Sequence, residues 1–82
     1  MYYVYVLKSS ENKHYIGYSA DLETRITAHN NGKARTTKGQ TWELIYYEAY
    51  KDEHDARARE RSIKKSGKGR KLLYARLENS LR

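Results

Sequence analysis

The chain has 82 residues, seventeen Lys/Arg against ten Asp/Glu, a formal net charge of +7 and a hydrophobic fraction of 38%. That length leaves room for one domain over residues 1–82 and one small core, and the absence of cysteine excludes disulfides and thiolate metal sites. No apolar run approaches the roughly 20 residues of a membrane span and no secretory pattern opens the chain, so a cytoplasmic monomer without a membrane partner is expected.

Residues 2–7 are β-branched and aromatic, a strand signal. A polar turn over residues 9–13 leads into a second strand over 14–19, completing a hairpin. Gly17 inside that strand marks a bulge or a close approach to the backbone. A first helix is predicted from the N-cap Asp21 to the stop at Asn31-Gly32, with Leu22, Arg25, Ile26 and His29 on one face. Lys33 to Gln40 reads as a polar loop.

Residues 41–50 form the longest strand candidate. Plain alternation puts Trp42, Leu44 and Tyr46 on one face, and Ile45, Tyr47 and Ala49 on the other. A second helix follows from Asp52 to about Lys65 and is broken by Ser66-Gly67-Lys68-Gly69. A third, from about Arg70 to Leu81, carries a stripe of Leu73, Leu77 and Leu81. The order ββαβαα gives an α+β fold, a three-stranded mostly antiparallel sheet with packed helices.

The positive charge is concentrated in the last third. Residues 1–56 hold seven Lys/Arg and eight Asp/Glu, whereas residues 57–82 hold ten and two. Such a segment attracts a polyanion through counterion release, or it simply keeps the protein soluble. The basic candidates for polyanion contact are Lys33, Arg35 and Lys38 in the loop, and Arg57, Lys64, Lys65 and Lys68 beyond it.

Four side-chain types stand out as candidates for chemistry. Glu60 falls between Ala56 and Ile63, on the stripe expected to face the sheet. A carboxylate there is costly unless an arginine pairs with it or it holds a cation. Mg²⁺ suits a lone carboxylate, because it keeps most of its waters and takes phosphate oxygens. Arg25 either covers apolar surface with its stem or clamps a phosphate with its fork of donors. His29 either favours the helix dipole or relays a proton. Nine tyrosines against no phenylalanine suggest rings whose hydroxyls reach polar partners. Tyr5 and Tyr15 are neighbours across the hairpin. A cation beside either phenol would favour the phenolate.

Together these residues resemble the GIY-YIG nuclease superfamily, over about residues 2 to 77. Tyr3-Val4-Tyr5 is similar to the first tripeptide, with Tyr3 where the family name has glycine, and Tyr15-Ile16-Gly17 reproduces the second. Arg25, His29 and Glu60 fall in order on the expected helices. A downstream asparagine used by many members has no counterpart.

The resemblance implies metal-dependent cleavage of a phosphodiester, with Glu60 holding Mg²⁺ or Mn²⁺. Tyr5 would orient or deprotonate the attacking water, helped by His29, with Tyr15 beside it. Arg25 would stabilise charge on the phosphorane oxygens, and Gly17 would leave room for the phosphate. DNA, branched or without a defined sequence, is the expected partner and RNA the alternative. DNA repair or processing is the expected role. The rival reading is a nucleic-acid-binding module without catalysis that uses the basic last third.

Overall fold

The computed structural model describes residues 1–31 and 39–82. Strands β1 (Tyr2–Ser9) and β2 (His14–Ser19) are followed by helix α1 (Leu22–Asn30), strand β3 (Trp42–Tyr50) and helices α2 (Glu53–Lys65) and α3 (Gly67–Arg76). The sheet is antiparallel with order β2-β1-β3, so β1 is the central strand. The fold is α+β with element order ββαβαα, as the sequence predicts.

Local chemistry accounts for the turns and caps. Ser9 Oγ accepts from the Glu11 and Lys13 amides at 3.1 and 3.0 Å, closing the hairpin. Asn12 takes the positive φ of 62° in that turn, a conformation asparagine tolerates better than most residues. Asp21 caps α1 by accepting from the Thr24 amide and hydroxyl at 3.1 and 2.9 Å. Asp52 caps α2 by accepting from the His54 amide at 2.8 Å.

Side chains alternate along β1 and divide the interior into two clusters. Val4 and Val6 join Ile16, Ala56, Ile63, Leu73 and Leu77 on the face covered by α2 and α3. Tyr5 and Leu7 join Trp42 on the opposite face, with Leu22 and Ile26 of α1 packed against them.

The structure departs from the sequence reading in β3. Val6 pairs with Tyr46 and Leu7 with Leu44, which leaves Ile45 as an extra residue in a β-bulge. One added residue moves everything beyond it to the other face. Leu44 therefore packs beside Tyr5 and Leu7, whereas Tyr46 and Tyr50 pack on the Val4 and Val6 side. The grouping of Trp42, Leu44 and Tyr46 on one face does not hold.

A second departure concerns α3. It begins at Gly67, not near Arg70, with Ser66 as N-cap accepting from the Gly69 amide at 3.2 Å. Helix α2 ends at Lys65 as expected, but the break is Ser66 alone, and Gly67-Lys68-Gly69 is already the first turn of α3. A Cβ on Gly69 would lie 2.9 Å from the Ser62 carbonyl oxygen, so the glycine allows α3 to start tight against α2. The helix ends at Arg76 rather than Leu81, although Leu77 is still buried. Lys8 Nζ then donates to the Leu81 carbonyl at 2.6 Å, fastening the C-terminal turns to β1.

Candidate active site

Tyr5 occupies the middle of the central strand on the α1 face and is fully buried. It pairs directly with Gly17 across the β1–β2 ladder, whose register runs without a bulge. A Cβ on Gly17 would lie 2.5 Å from Tyr5 Cζ and 2.9 Å from Tyr15 Cε1. The space made by the missing side chain is therefore filled by the Tyr5 ring. The expectation that Gly17 clears room for a phosphate is corrected: it clears room for a tyrosine.

His29, in the last turn of α1, is also fully buried, with Nε2 3.1 Å from the Tyr5 hydroxyl. Its ring meets Tyr15 edge-on at 4.7 Å between centroids. Asn30 anchors this end of the helix to β3: Nδ2 donates to the Trp42 carbonyl at 3.1 Å and Oδ1 accepts from the Trp42 amide at 2.6 Å. Sequence reasoning missed Asn30. Its signal is a polar residue one position after His29, at a helix end. Arg25 lies one turn before His29, exposed, with its guanidinium facing the hydroxyls of both Tyr5 and Tyr15.

Burial dominates the electrostatics of this group. It pushes the Tyr5 phenol above its ordinary range, and the opposing pull of Arg25 does not offset it. The expected shift of Tyr5 toward phenolate is thus overturned, because removing a charged oxygen from water outweighs a neighbouring cation at the surface. Burial and then the Arg25 charge hold the His29 imidazole below its ordinary range. Both groups are neutral near pH 7.

Glu60 lies on α2, away from the α1 elements that hold this group. Helix α2 packs on the opposite face, but one flank runs along β2. There the Arg57 guanidinium lies 4.6 Å from the Tyr18 ring centroid, and Lys64 Nζ lies 5.9 Å from that of Tyr15. Glu60 does not sit on the buried stripe, which consists of Ala56 and Ile63. Its side chain is 22% exposed and accepts from Lys64 Nζ at 3.0 Å. Its partner is therefore a lysine of the same helix on the Tyr15 side, and its charge is felt at Tyr5.

Glu60, Arg61, Lys64 and Lys65 line a shallow depression of about 360 Å³. Among the described residues no three metal-ligating side chains cluster. The donor set for a hard cation is one carboxylate, with phosphate and water to complete the shell, which fits Mg²⁺ or Mn²⁺. Arg57 also pairs with Glu53 at 3.5 Å, and Lys68 is exposed in the first turn of α3. Lys33, Arg35 and Lys38 lie outside the described residues.

A family model described as the GIY-YIG catalytic domain matches residues 1–72. The chain belongs to the GIY-YIG family. It is 42% identical over 74 residues to a UPF0213 protein of Clostridium perfringens, covering 88% of this chain and 80% of that one. A UPF0213 protein of Pediococcus acidilactici is 35% identical over 77 residues, covering 89% and 79%. The solution NMR structure of a UPF0213 protein from Bacillus halodurans matches with a TM-score of 0.58 and 30% identity, covering 92% of this chain and 84% of that one. In this GIY-YIG chain the two tripeptides lie on adjacent strands and meet at one pair, Tyr5 opposite Gly17, while Tyr3 faces Ser19 and Tyr15 faces Leu7.

Proposed function

We propose that this protein is a metal-dependent endonuclease that cleaves DNA phosphodiesters in the cytoplasm, with structure selectivity or weak sequence specificity, in repair or processing. The observation that carries this reading is the buried hydrogen bond between Tyr5 and His29 at 3.1 Å, faced by the exposed Arg25. Packing alone has no use for a buried tyrosine hydroxyl set on a histidine nitrogen with an arginine beside it. A proton relay beside a phosphate does.

Arg25 has donors only, so its side of the Tyr5 oxygen is a donor side, which leaves the Tyr5 O–H for His29 Nε2. An attacking water gives its proton to the Tyr5 oxygen while Tyr5 passes its own to His29. Such a relay needs no free phenolate, in keeping with a phenol held neutral by burial. Tyr5 has no exposed surface at rest, and Arg25 turning outward onto a phosphate opens its oxygen to water. Arg25 then stabilises charge developing on the phosphate oxygens, and Tyr15 orients the water or phosphate. Glu60 is the residue to hold Mg²⁺ or Mn²⁺. A cation bound there supplies Lewis-acid stabilisation of the leaving oxygen.

Nicking of branched and plasmid DNA in Mg²⁺ or Mn²⁺ tests the reading. The wild type is expected to cleave, and Glu60→Ala to fall below detection. Equal cleavage by both would reveal a contaminant and remove the assignment. One observation favours the alternative, a binding module without catalysis: Lys64 already neutralises Glu60. That reading predicts salt-sensitive DNA binding through Arg57, Lys64 and Lys65 with no product in metal.

A further inference from the structure

The α1 face carries a second concavity, about 540 Å³, that the relay does not use. Its floor is Tyr3, Leu44 and Tyr47, and its wall is Leu22 and Ile26 of α1. Tyr3 and Tyr47 meet edge-on, 5.9 Å between centroids at 69°. Tyr47 is 52% exposed, an unusual outlay of aromatic surface for a chain whose core is this small. Among the described residues, the charged ones lining the cleft are both acidic, Asp21 and Glu23. The Asp21 carboxylate is engaged by Thr24, whereas Glu23 is exposed.

The cleft lies beside the catalytic group. Tyr47 pairs directly with Tyr5, so the two rows lie one strand spacing apart, about 4.8 Å. Tyr3 precedes Tyr5 by two residues on the same face. On the helix, Ile26 of the cleft follows Arg25 of the site.

From this juxtaposition we infer that the Tyr3–Tyr47 cleft holds an unpaired base of the DNA strand whose phosphate is held by Arg25. The inference rests on the nuclease reading and deepens it, naming the substrate as DNA with a single-stranded or flapped segment at the cut. A cleft that, among the described residues, is lined by no basic side chain and is rimmed by carboxylates repels phosphate. It accepts a flat neutral ring, and the carboxylates can take hydrogen bonds from exocyclic amino groups. Aromatic faces stack any of the four bases, so the subsite selects for an unpaired strand and not for a sequence. A fully paired duplex keeps its bases stacked inside and cannot fill it.

The test is binding without cleavage. Two fluorescent duplexes with the same short overhang are titrated with the full chain in EDTA, one with bases in the overhang and one with abasic sites. The wild type is expected to bind the base-bearing overhang roughly five-fold tighter or more, the ratio given by the lower end of aromatic–base stacking. Tyr47→Ala, at an exposed position, is expected to abolish that ratio while keeping the affinity for the abasic duplex. Tyr47→Phe is expected to preserve it. Equal wild-type binding to both duplexes overturns the subsite and leaves the nuclease reading standing. The same holds if Tyr47→Ala weakens both duplexes alike. No binding to either duplex overturns the subsite and the DNA reading together. A base preference without any nicking in metal removes the nuclease reading alone.

Discussion

The two faces of the sheet are built from alternate residues of one strand, yet they are chemically unlike. Toward α2 and α3, β1 presents Val4 and Val6 to Ile16, Ile63 and Leu73, an apolar cluster that excludes water. The polar element on that side is saturated. Glu48 accepts from Arg59 Nε at 2.9 Å, from Tyr46 at 2.6 Å and from Tyr50. Burial pushes the Glu48 carboxyl up, but these partners outweigh it and hold it below its ordinary range, while Tyr50 is pushed up to about 12 by burial and by Glu48. Toward α1, β1 presents Tyr5 to His29 and Arg25, with one side of the group open to solvent through Arg25. A satisfied network locks a fold. A network whose outermost cation faces solvent is free to take a ligand.

Mutating each face should separate stability from activity. Ile63, fully buried on the apolar side, is expected to cost about 2–5 kcal/mol as Ile63→Ala, from lost burial and the cavity left behind. That is a large share of the stability of so small a domain, and urea denaturation would read it. Tyr5→Phe keeps the ring over Gly17 and removes only the hydroxyl. It is expected to cost about 1 kcal/mol for the buried His29 nitrogen left without that partner, and to abolish nicking. A Tyr5→Phe protein as unstable as Ile63→Ala, or one that still nicks, would show that the division of labour between the faces is wrong.

How much of this was legible in the sequence follows from which interactions are local. Strand alternation and capping are local rules, so the hairpin, the Asp21 and Asp52 caps and the ββαβαα order could be read directly. The bulge at Ile45 could not, because it depends on which residue of β1 each residue of β3 meets. The start of α3 was misread because Gly67 and Gly69 look like breakers until helix α2 is placed beside them. Arg25 and His29 were correctly placed one turn apart, but the depth of His29 was not visible. It is set by Trp42 and Tyr15, neither of them in its own helix. Glu60 was placed too deep for the opposite reason. The Lys64 that draws it outward is four residues on, a spacing already present in the sequence.

Acid should distinguish the two faces by a smaller margin. The unfolded-state value of a histidine is about 6.5, and His29 is held below its ordinary range by burial and Arg25. The stability tied to its neutral form is therefore complete above about pH 6.5. It declines as pH falls below that toward the folded-state value, because the unfolded chain takes up the proton first. Melting temperature is expected to fall over this window before the carboxylates titrate, and His29→Gln should flatten that limb. An unchanged slope in His29→Gln would mean that His29 is not buried neutral.

The smallest effect on stability is expected at Lys64. Its pair with Glu60 spans one helical turn, with the Lys64 side chain 48% and the Glu60 side chain 22% exposed, so Lys64→Ala should change stability by about 0.5 kcal/mol. The informative readout is metal affinity in the absence of DNA. Lys64 sits where a cation would meet the Glu60 carboxylate, so an incoming ion must displace it. Lys64→Ala is then expected to tighten Mn²⁺ binding about two-fold, the size of the released surface pair, while Glu60→Ala removes it. Paramagnetic broadening of the Tyr15 and Lys64-region resonances by Mn²⁺ alone would measure both. Unchanged or weaker Mn²⁺ binding in Lys64→Ala would mean that the lysine does not guard the carboxylate. Glu60 would then be a helix-surface charge like its neighbours, and the proposed site would lose its metal ligand.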